Sequence, residues 1–352
     1  MEKNPQIAVP ALFSEFRPTT RWSRPGQPGV WFWRDTSLGL AGRLISRPLG
    51  GKSKVSVSEL MSEYPSSFKT PEGEAKYIAA YETTLTLWAI PYEFLEVPTQ
   101  WGRTHLIVCG PKDGSPLVLL HGMHLSATMW FSNIAALSRN YRIYAVDTLG
   151  GVGRSVVVHP LESRADLAGW LDEVLDGLRI TQPHIVGHSY GGWVALNFAL
   201  SASERIKRLI LLAPLGLQPL VSQFWLRGIP AMLFPRSSFI TSFMKWMTVE
   251  GFVVNELFVE QFVLGMKNFR PRPQIRVLPT VFTDDELRQI KAYTMLLIGG
   301  KEVIYDPEVA VKRAQQLIPN IEAEVIPNAS HGLPMEQAEL VNERILEFLN
   351  QE

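Results

Sequence analysis

A single cysteine, Cys109, stands among 352 residues, so the chain can form no internal disulfide and suits a reducing compartment. It follows His105-Leu106-Ile107-Val108, a setting that marks a buried strand residue rather than a reactive thiol. Long apolar runs are also missing, and no stretch is long enough to span a bilayer. Residues 1–20 carry Glu2, Pro5, Pro10, Glu15 and Pro18 where a signal peptide needs a continuous apolar segment, so the expectation is a soluble, cytoplasmic protein. Excess charge is absent: 34 Lys and Arg balance 34 Asp and Glu, for a formal net charge of +0. Such a chain offers no electrostatic lure to nucleic acid or anionic lipid; small molecules are the expected partners, with oligomeric state left open. Fixed-period repeats and low-complexity tracts are lacking as well.

What is present is ample core material, with 46% hydrophobic and 19% charged residues, at a length that fits a large α/β domain with insertions. Residues 1–91 read as an N-terminal extension or arm. Its Trp31 and Trp33 either anchor the arm to the body or lie as a lid over a site. Toward its end, Thr70-Pro71 provides an N-cap and a proline at the first helical position. Tyr77, Ile78, Tyr81, Leu85 and Trp88 then recur at helical spacing, which predicts one amphipathic helix.

From Tyr92 onward, short apolar runs alternate with longer amphipathic ones, the pattern of βαβ crossovers and a mostly parallel sheet. Strands are expected at 92–98, 104–109, 117–120, 142–146, 183–186, 208–212 and 293–298, the first two as a hairpin. The run 323–326 is strand-like. Helices are expected at 127–138, 164–177, 190–201, 307–318 and 335–349.

Within this frame Gly187-His188-Ser189-Tyr190-Gly191 follows the β-branched run Pro183-His184-Ile185-Val186 and opens a helix-like stretch. A serine between glycines at a strand-to-helix join sits on a sharp turn that exposes its hydroxyl, a nucleophile elbow. The bland reading is a buried structural turn. His121-Gly122-Met123-His124 follows the apolar run 117–120, where backbone N–H groups of Met123 and of Tyr190 can meet the negative charge that acyl transfer places on a carbonyl oxygen. His121 and His124 are read as loop structure or pocket lining.

A serine hydroxyl needs a base, and the order for this architecture is Ser, then an acid, then His. His331, in Asn328-Ala329-Ser330-His331-Gly332, satisfies that order, whereas His105, His159 and His184 precede the serine and read as surface or strand residues. The acid should follow the strand 293–298. Glu302, just past Gly299-Gly300-Lys301, is the preferred candidate. Asp306 precedes Pro307 and is already explained as a helix N-cap, so it stands as the alternative acid; Asp147 comes before the serine and is disfavoured. Residues 215–285, dense in Phe, Met and Trp, read as a helical cap between core segments 92–214 and 286–352. Most of those side chains bury the cap on the body, and an apolar lid over a polar nucleophile also fits an apolar substrate.

Taken in order, His121-Gly122-Met123, the segment Asp147 to Ser155, Gly187 to Gly192, Gly299-Gly300-Lys301-Glu302 and Ser330-His331-Gly332 resemble the α/β-hydrolase family over about Tyr92 to the end. The likeness is strongest to its bacterial capped carboxylesterases. That resemblance implies a Ser-His-acid triad and no metal or organic cofactor. Two features depart from the pattern: glutamate at the acid position, where aspartate is commoner, and a longer N-terminal arm. The resulting expectation is a serine esterase acting through an acyl-enzyme on small apolar esters. A lactone or C–C bond hydrolase of the same fold is one alternative, and a non-catalytic ligand-binding protein another.

Overall fold

Runs of Val, Ile and Leu too short for helices fold as strands when both faces are covered, and among the described residues such runs form the middle of one nine-stranded sheet. The computed structural model describes residues 67–270 and 277–351; Trp31, Trp33 and the rest of the arm before residue 67 lie outside the described residues. The strands are β1 (Tyr92–Thr99), β2 (Gly102–Cys109), β3 (Ser115–Leu120), β4 (Tyr141–Val146), β5 (Val156–Val157), β6 (His184–His188), β7 (Arg208–Leu212), β8 (Thr294–Gly299) and β9 (Ile321–Ile326). Their order is β1-β2-β4-β3-β6-β7-β8-β9, with β5 beside β2. The β1–β2 hairpin and the β2–β4 and β2–β5 pairs are antiparallel; every pair from β4 to β9 is parallel.

The helices are α1 (Pro71–Leu85), α2 (Ile134–Leu137), α3 (Arg164–Gly177), α4 (Tyr190–Ala202), α5 (Ser222–Leu233), α6 (Ser237–Trp246), α7 (Glu256–Asn268), α8 (Asp284–Arg288), α9 (Pro307–Leu317), α10 (Leu333–Glu336) and α11 (Ala338–Asn350). Thr70 caps α1 by accepting from the Gly73 N–H at 3.0 Å. The helix stops at Leu85, short of Trp88, which is still buried and donates its indole N–H to the Thr128 carbonyl at 3.2 Å. Two expected helices are broken. Residues 127–132 form a 3₁₀ turn before α2, because Asn133 at the joint turns its amide to the Pro334 carbonyl (3.0 Å) and to Asn342 Oδ1 (2.8 Å). Gln337, at φ −128° and ψ 47°, divides the C-terminal segment into α10 and α11.

Alternation along the strands sends Leu106, Val108, Val118 and Leu120 to a core with Trp170, Trp193 and Phe198. Their neighbours Ile107, Cys109, Leu117 and Leu119 enter a second core with Tyr77, Tyr81, Trp130 and Phe348. Each Val, Leu, Ile or Phe side chain among them contributes about 1.5–3 kcal/mol by leaving water. Helices α5, α6 and α7 lie between β7 and β8, joined by Ala231, Ile240, Phe243, Met244 and Phe262, and Leu125 packs against this cluster. Trp225 and Phe234 stay exposed. Helix α1 runs along α7, close enough that a Cβ on Gly73 would lie 2.7 Å from Asn268 Oδ1. No helix among the described residues is long and apolar enough to cross a membrane.

Candidate active site

Strand β6 delivers Ser189 to the carboxyl edge of the sheet at φ 52° and ψ −113°, a left-handed conformation that a non-glycine residue adopts only under constraint. The constraint is visible: the Ser189 N–H donates to the Leu212 carbonyl at 3.0 Å, and the Trp193 N–H donates back to the Ser189 carbonyl at 3.1 Å. Close packing demands the flanking glycines. A Cβ at Gly191 would lie 2.2 Å from the Leu120 carbonyl oxygen, and one at Gly187 would lie 2.5 Å from that of Gly191.

The loop after β9 brings His331 over this turn. Its Nε2 lies 2.9 Å from Ser189 Oγ, and its Nδ1 lies 2.9 Å from Glu302 Oε2. A carboxylate only accepts, so Nδ1 carries the hydrogen and Nε2 presents a lone pair to the serine hydroxyl. The Glu302 side chain is fully buried, and its Oε1 accepts from the Val303 and Ile304 N–H groups at 2.8 and 3.0 Å. Both carboxylate oxygens are therefore satisfied, and the loop after β8 holds the acid rigid. Asp306 faces elsewhere: it caps α9 by accepting from the Val309 N–H at 3.0 Å.

Met123 lies on the loop leaving β3, and Tyr190 is the first residue of α4, where backbone N–H groups have no acceptor inside the helix. His121 is occupied in building that loop. Its Nδ1–H donates to the Gly122 carbonyl at 2.8 Å, and its Nε2 accepts from the Thr148 N–H at 2.9 Å. Burial pushes His121 and His124 down from the ordinary histidine value, the latter to about 4.

Three further side chains bear on the site in ways their neighbours in the sequence do not announce. Asp147, wholly buried, accepts from Tyr81 Oη (3.1 Å), His105 Nδ1 (3.1 Å) and the N–H groups of Ala127 (2.8 Å) and Arg154 (2.9 Å). Burial opposes its ionisation, but the hydrogen bond and charge of His105, the charge of His121 and the Ala127 N–H together outweigh it, so the carboxyl is held below the usual range. It ties β2, α1 and the end of the β3 loop together, and His105 is thus a partner in the interior rather than a surface residue. His188, beside Ser189, donates Nε2–H to the His331 carbonyl at 2.8 Å; burial and then the facing charge of His331 push it down to about 3. Glu336, in the turn of α10 after His331, accepts from the Ser330 and Val249 N–H groups. Asp147 and His188 stand inside motifs read from the sequence and Glu336 shortly after His331-Gly332, but nothing near any of the three assigns its partners.

A mostly parallel sheet that carries a strained serine after one strand, a carboxylate after a later one and a histidine after the last has the architecture of an α/β hydrolase. The chain belongs to the α/β hydrolase family, which it matches over residues 117–344. It is 40% identical to the "uncharacterized carboxylesterase nap" of Bacillus subtilis (strain 168), over 83% of this chain and 98% of that protein. Among solved structures it resembles naproxen esterase (carboxylesterase NP) of Bacillus subtilis, with TM-score 0.76 and 39% identity, covering 80% of this chain and 100% of that one. Carboxylesterase CesB (YbfK) of the same organism is similar at TM-score 0.76 and 36% identity, covering 79% of this chain and 99% of that one.

Proposed function

We propose that the chain hydrolyses carboxylic esters by way of an acyl-enzyme on Ser189. The observation that carries this reading is the continuous chain from Ser189 Oγ through His331 to Glu302, with both links at 2.9 Å. Similarity to carboxylesterases over about four-fifths of the chain supports the ester bond as the target. In the first step His331 Nε2 takes the serine proton as Oγ bonds to the ester carbonyl carbon. The charge gathers on the carbonyl oxygen, where the Met123 and Tyr190 N–H groups serve as donors, each contributing about 3 kcal/mol to lowering the barrier. Collapse expels the alcohol, which receives its proton from His331. Water, deprotonated by the same imidazole, then attacks the acyl carbon and frees the acid and Ser189. Glu302 fixes the tautomer and stabilises the imidazolium. This chemistry needs no group beyond the side chains, the two N–H groups and water.

The substrate reading is a small apolar ester, supported by the Phe- and Met-rich cap and by Leu125, which joins the loop bearing Met123 to the cap cluster. The domain reading takes 92–214 and 286–352 as the core and 215–285 as the cap, supported by the position of α5 to α7 between β7 and β8. The direct test is labelling with a fluorophosphonate followed by peptide mapping, with Ser189→Ala as the control. The expected result is modification at Ser189 alone and a fall in ester turnover of at least about three orders of magnitude in a variant that still folds. Normal turnover by folded Ser189→Ala would overturn the mechanism.

A further inference from the structure

One half-buried carboxylate beside the site has no part in the reaction just described. Glu336 follows His331 within a single turn, its N–H donating to the Gly332 carbonyl at 3.1 Å, and its side chain folds back on the same loop. Oε2 accepts from the Ser330 N–H at 2.5 Å, one residue before the base. Oε1 accepts from the Val249 N–H at 2.9 Å, in the segment between α6 and α7. Gly332 fills the gap between them: a Cβ there would lie 3.1 Å from Glu336 Oε1 and 3.3 Å from Thr248 Cγ2. The base loop is also held by the Lys301 N–H on the Ala329 carbonyl (2.8 Å), by His188 on the His331 carbonyl (2.8 Å) and by the Gln337 amide on the Asn328 carbonyl (3.2 Å). Those lead to the acid loop, to the elbow and to the start of α11. The Glu336 contact leads to the cap.

We infer that Glu336 is a positioning residue that ties the seating of the cap to the alignment of His331 on Ser189. Resting on the esterase reading, this follows from the acceptor count. Two N–H groups from segments far apart in the chain need two acceptor oxygens, and only the ionised carboxylate supplies both. A protonated acid or an amide turns one of its two atoms into a donor facing an N–H, so one of the two segments is released. Glu336 also carries a charge that its surroundings feel. Burial raises it above the ordinary carboxylate range; the N–H bonds of Ser330 and Val249 and the charge of His331 pull it down, and Glu302 pushes it up. The titratable groups facing this corner are thus His331 and Glu302, with His188 on the other side of the imidazole ring. The attraction between ionised Glu336 and protonated His331 is mutual, so removing the charge makes protonation of the base less favourable.

The experiment compares wild type, Glu336→Gln, Glu336→Asp and Ser189→Ala on p-nitrophenyl butyrate from pH 5 to 9, with the rate of fluorophosphonate labelling as a second readout. The amide should lower kcat and the labelling rate together by about tenfold to a hundredfold, as misplacement of a catalytic group by about an ångström does. KM should stay within about threefold, and the acid limb of kcat/KM should move to lower pH. Aspartate keeps the charge but is too short to span both donors, so kcat should fall while the acid limb stays at its wild-type position. A folded Glu336→Gln with wild-type kcat and acid limb would overturn the inference, as would a Glu336→Asp with wild-type kcat. If Glu336→Gln fails to fold, Glu336→Asp alone decides. A wild type without ester turnover or Ser189 labelling would instead sink the esterase reading beneath it.

Discussion

Glu302 and Asp306 share one loop, yet their carboxylates are committed to different work: Glu302 Oε2 faces His331 Nδ1 at 2.9 Å, and Asp306 Oδ1 holds the Val309 N–H at 3.0 Å. Glu302→Gln should cut turnover by about three to four orders of magnitude with little loss of stability, because the amide upsets the tautomer of the base. Asp306→Ala should do the reverse, costing about 1 kcal/mol as the cap of α9 is lost while turnover stays within several-fold. Steady-state kinetics beside thermal melts of the two variants check this. A dead Asp306→Asn next to an active Glu302→Gln would exchange the roles.

Acid should weaken the fold through histidines that are buried neutral. His188 is pushed down to about 3 and His184, by burial and by Lys207 and Arg208, to about 4, whereas in an unfolded chain both titrate near about 6.5. Folded values below the unfolded ones mean that the unfolded state binds more protons under about pH 6.5. The stability present above that pH is lost as pH falls toward the folded values, at up to about 1.4 kcal/mol per pH unit for His188. Melting temperatures from pH 7 to 4 should decline, and His188→Asn, which keeps a donor for the His331 carbonyl, should flatten the slope.

Turnover should fall on the acid side for a separate reason: a protonated imidazole at His331 has no lone pair for the serine proton. A pH jump separates the two effects, since activity lost by protonation returns at once on neutralisation and activity lost by unfolding returns at the refolding rate. A flat kcat/KM profile from pH 5 to 8, spanning the ordinary histidine value of about 6.5, would contradict the role given to His331.

Ester chain length should show an optimum. On the proposed reading of 215–285 as an apolar cap over the ester, contact with its side chains contributes about 25 cal/mol per Å² removed from water, or about 0.8 kcal/mol per methylene. A cap of finite volume reverses the trend once overpacking begins. The specificity constant across p-nitrophenyl esters from acetate to palmitate should therefore peak at short to medium chains. A maximum at palmitate with a jump at emulsion formation would identify a lipase instead.

Much of the frame was legible because it is local. The β-branched runs, the Thr70-Pro71 helix start and the glycines around Ser189 each declare themselves within a few residues, and chain order alone selects His331 as the histidine that the structure sets 2.9 Å from Ser189 Oγ. Other features depend on partners far along the chain. Nothing near His105 announces Asp147, 42 positions away, and nothing near Glu336 announces Val249, 87 positions back. The break at Asn133 has the same origin. Its helical neighbourhood is overruled by Asn342, 209 positions on, since an amide buried there must find partners. Periodicity also carried the first helix to Trp88, whose burial is real but is achieved outside the helix.

Cys109 lies inside β2 between β1 and β4, 2% exposed, with its thiol pushed up to about 12 by burial. As the chain's only thiol, it makes the native protein its own clock. A disulfide reagent in native buffer has a single target and cannot reach it as a thiolate while the hairpin is closed. The rate at which colour develops therefore counts openings of this flank of the sheet, with no probe to be engineered in and no second cysteine to be removed.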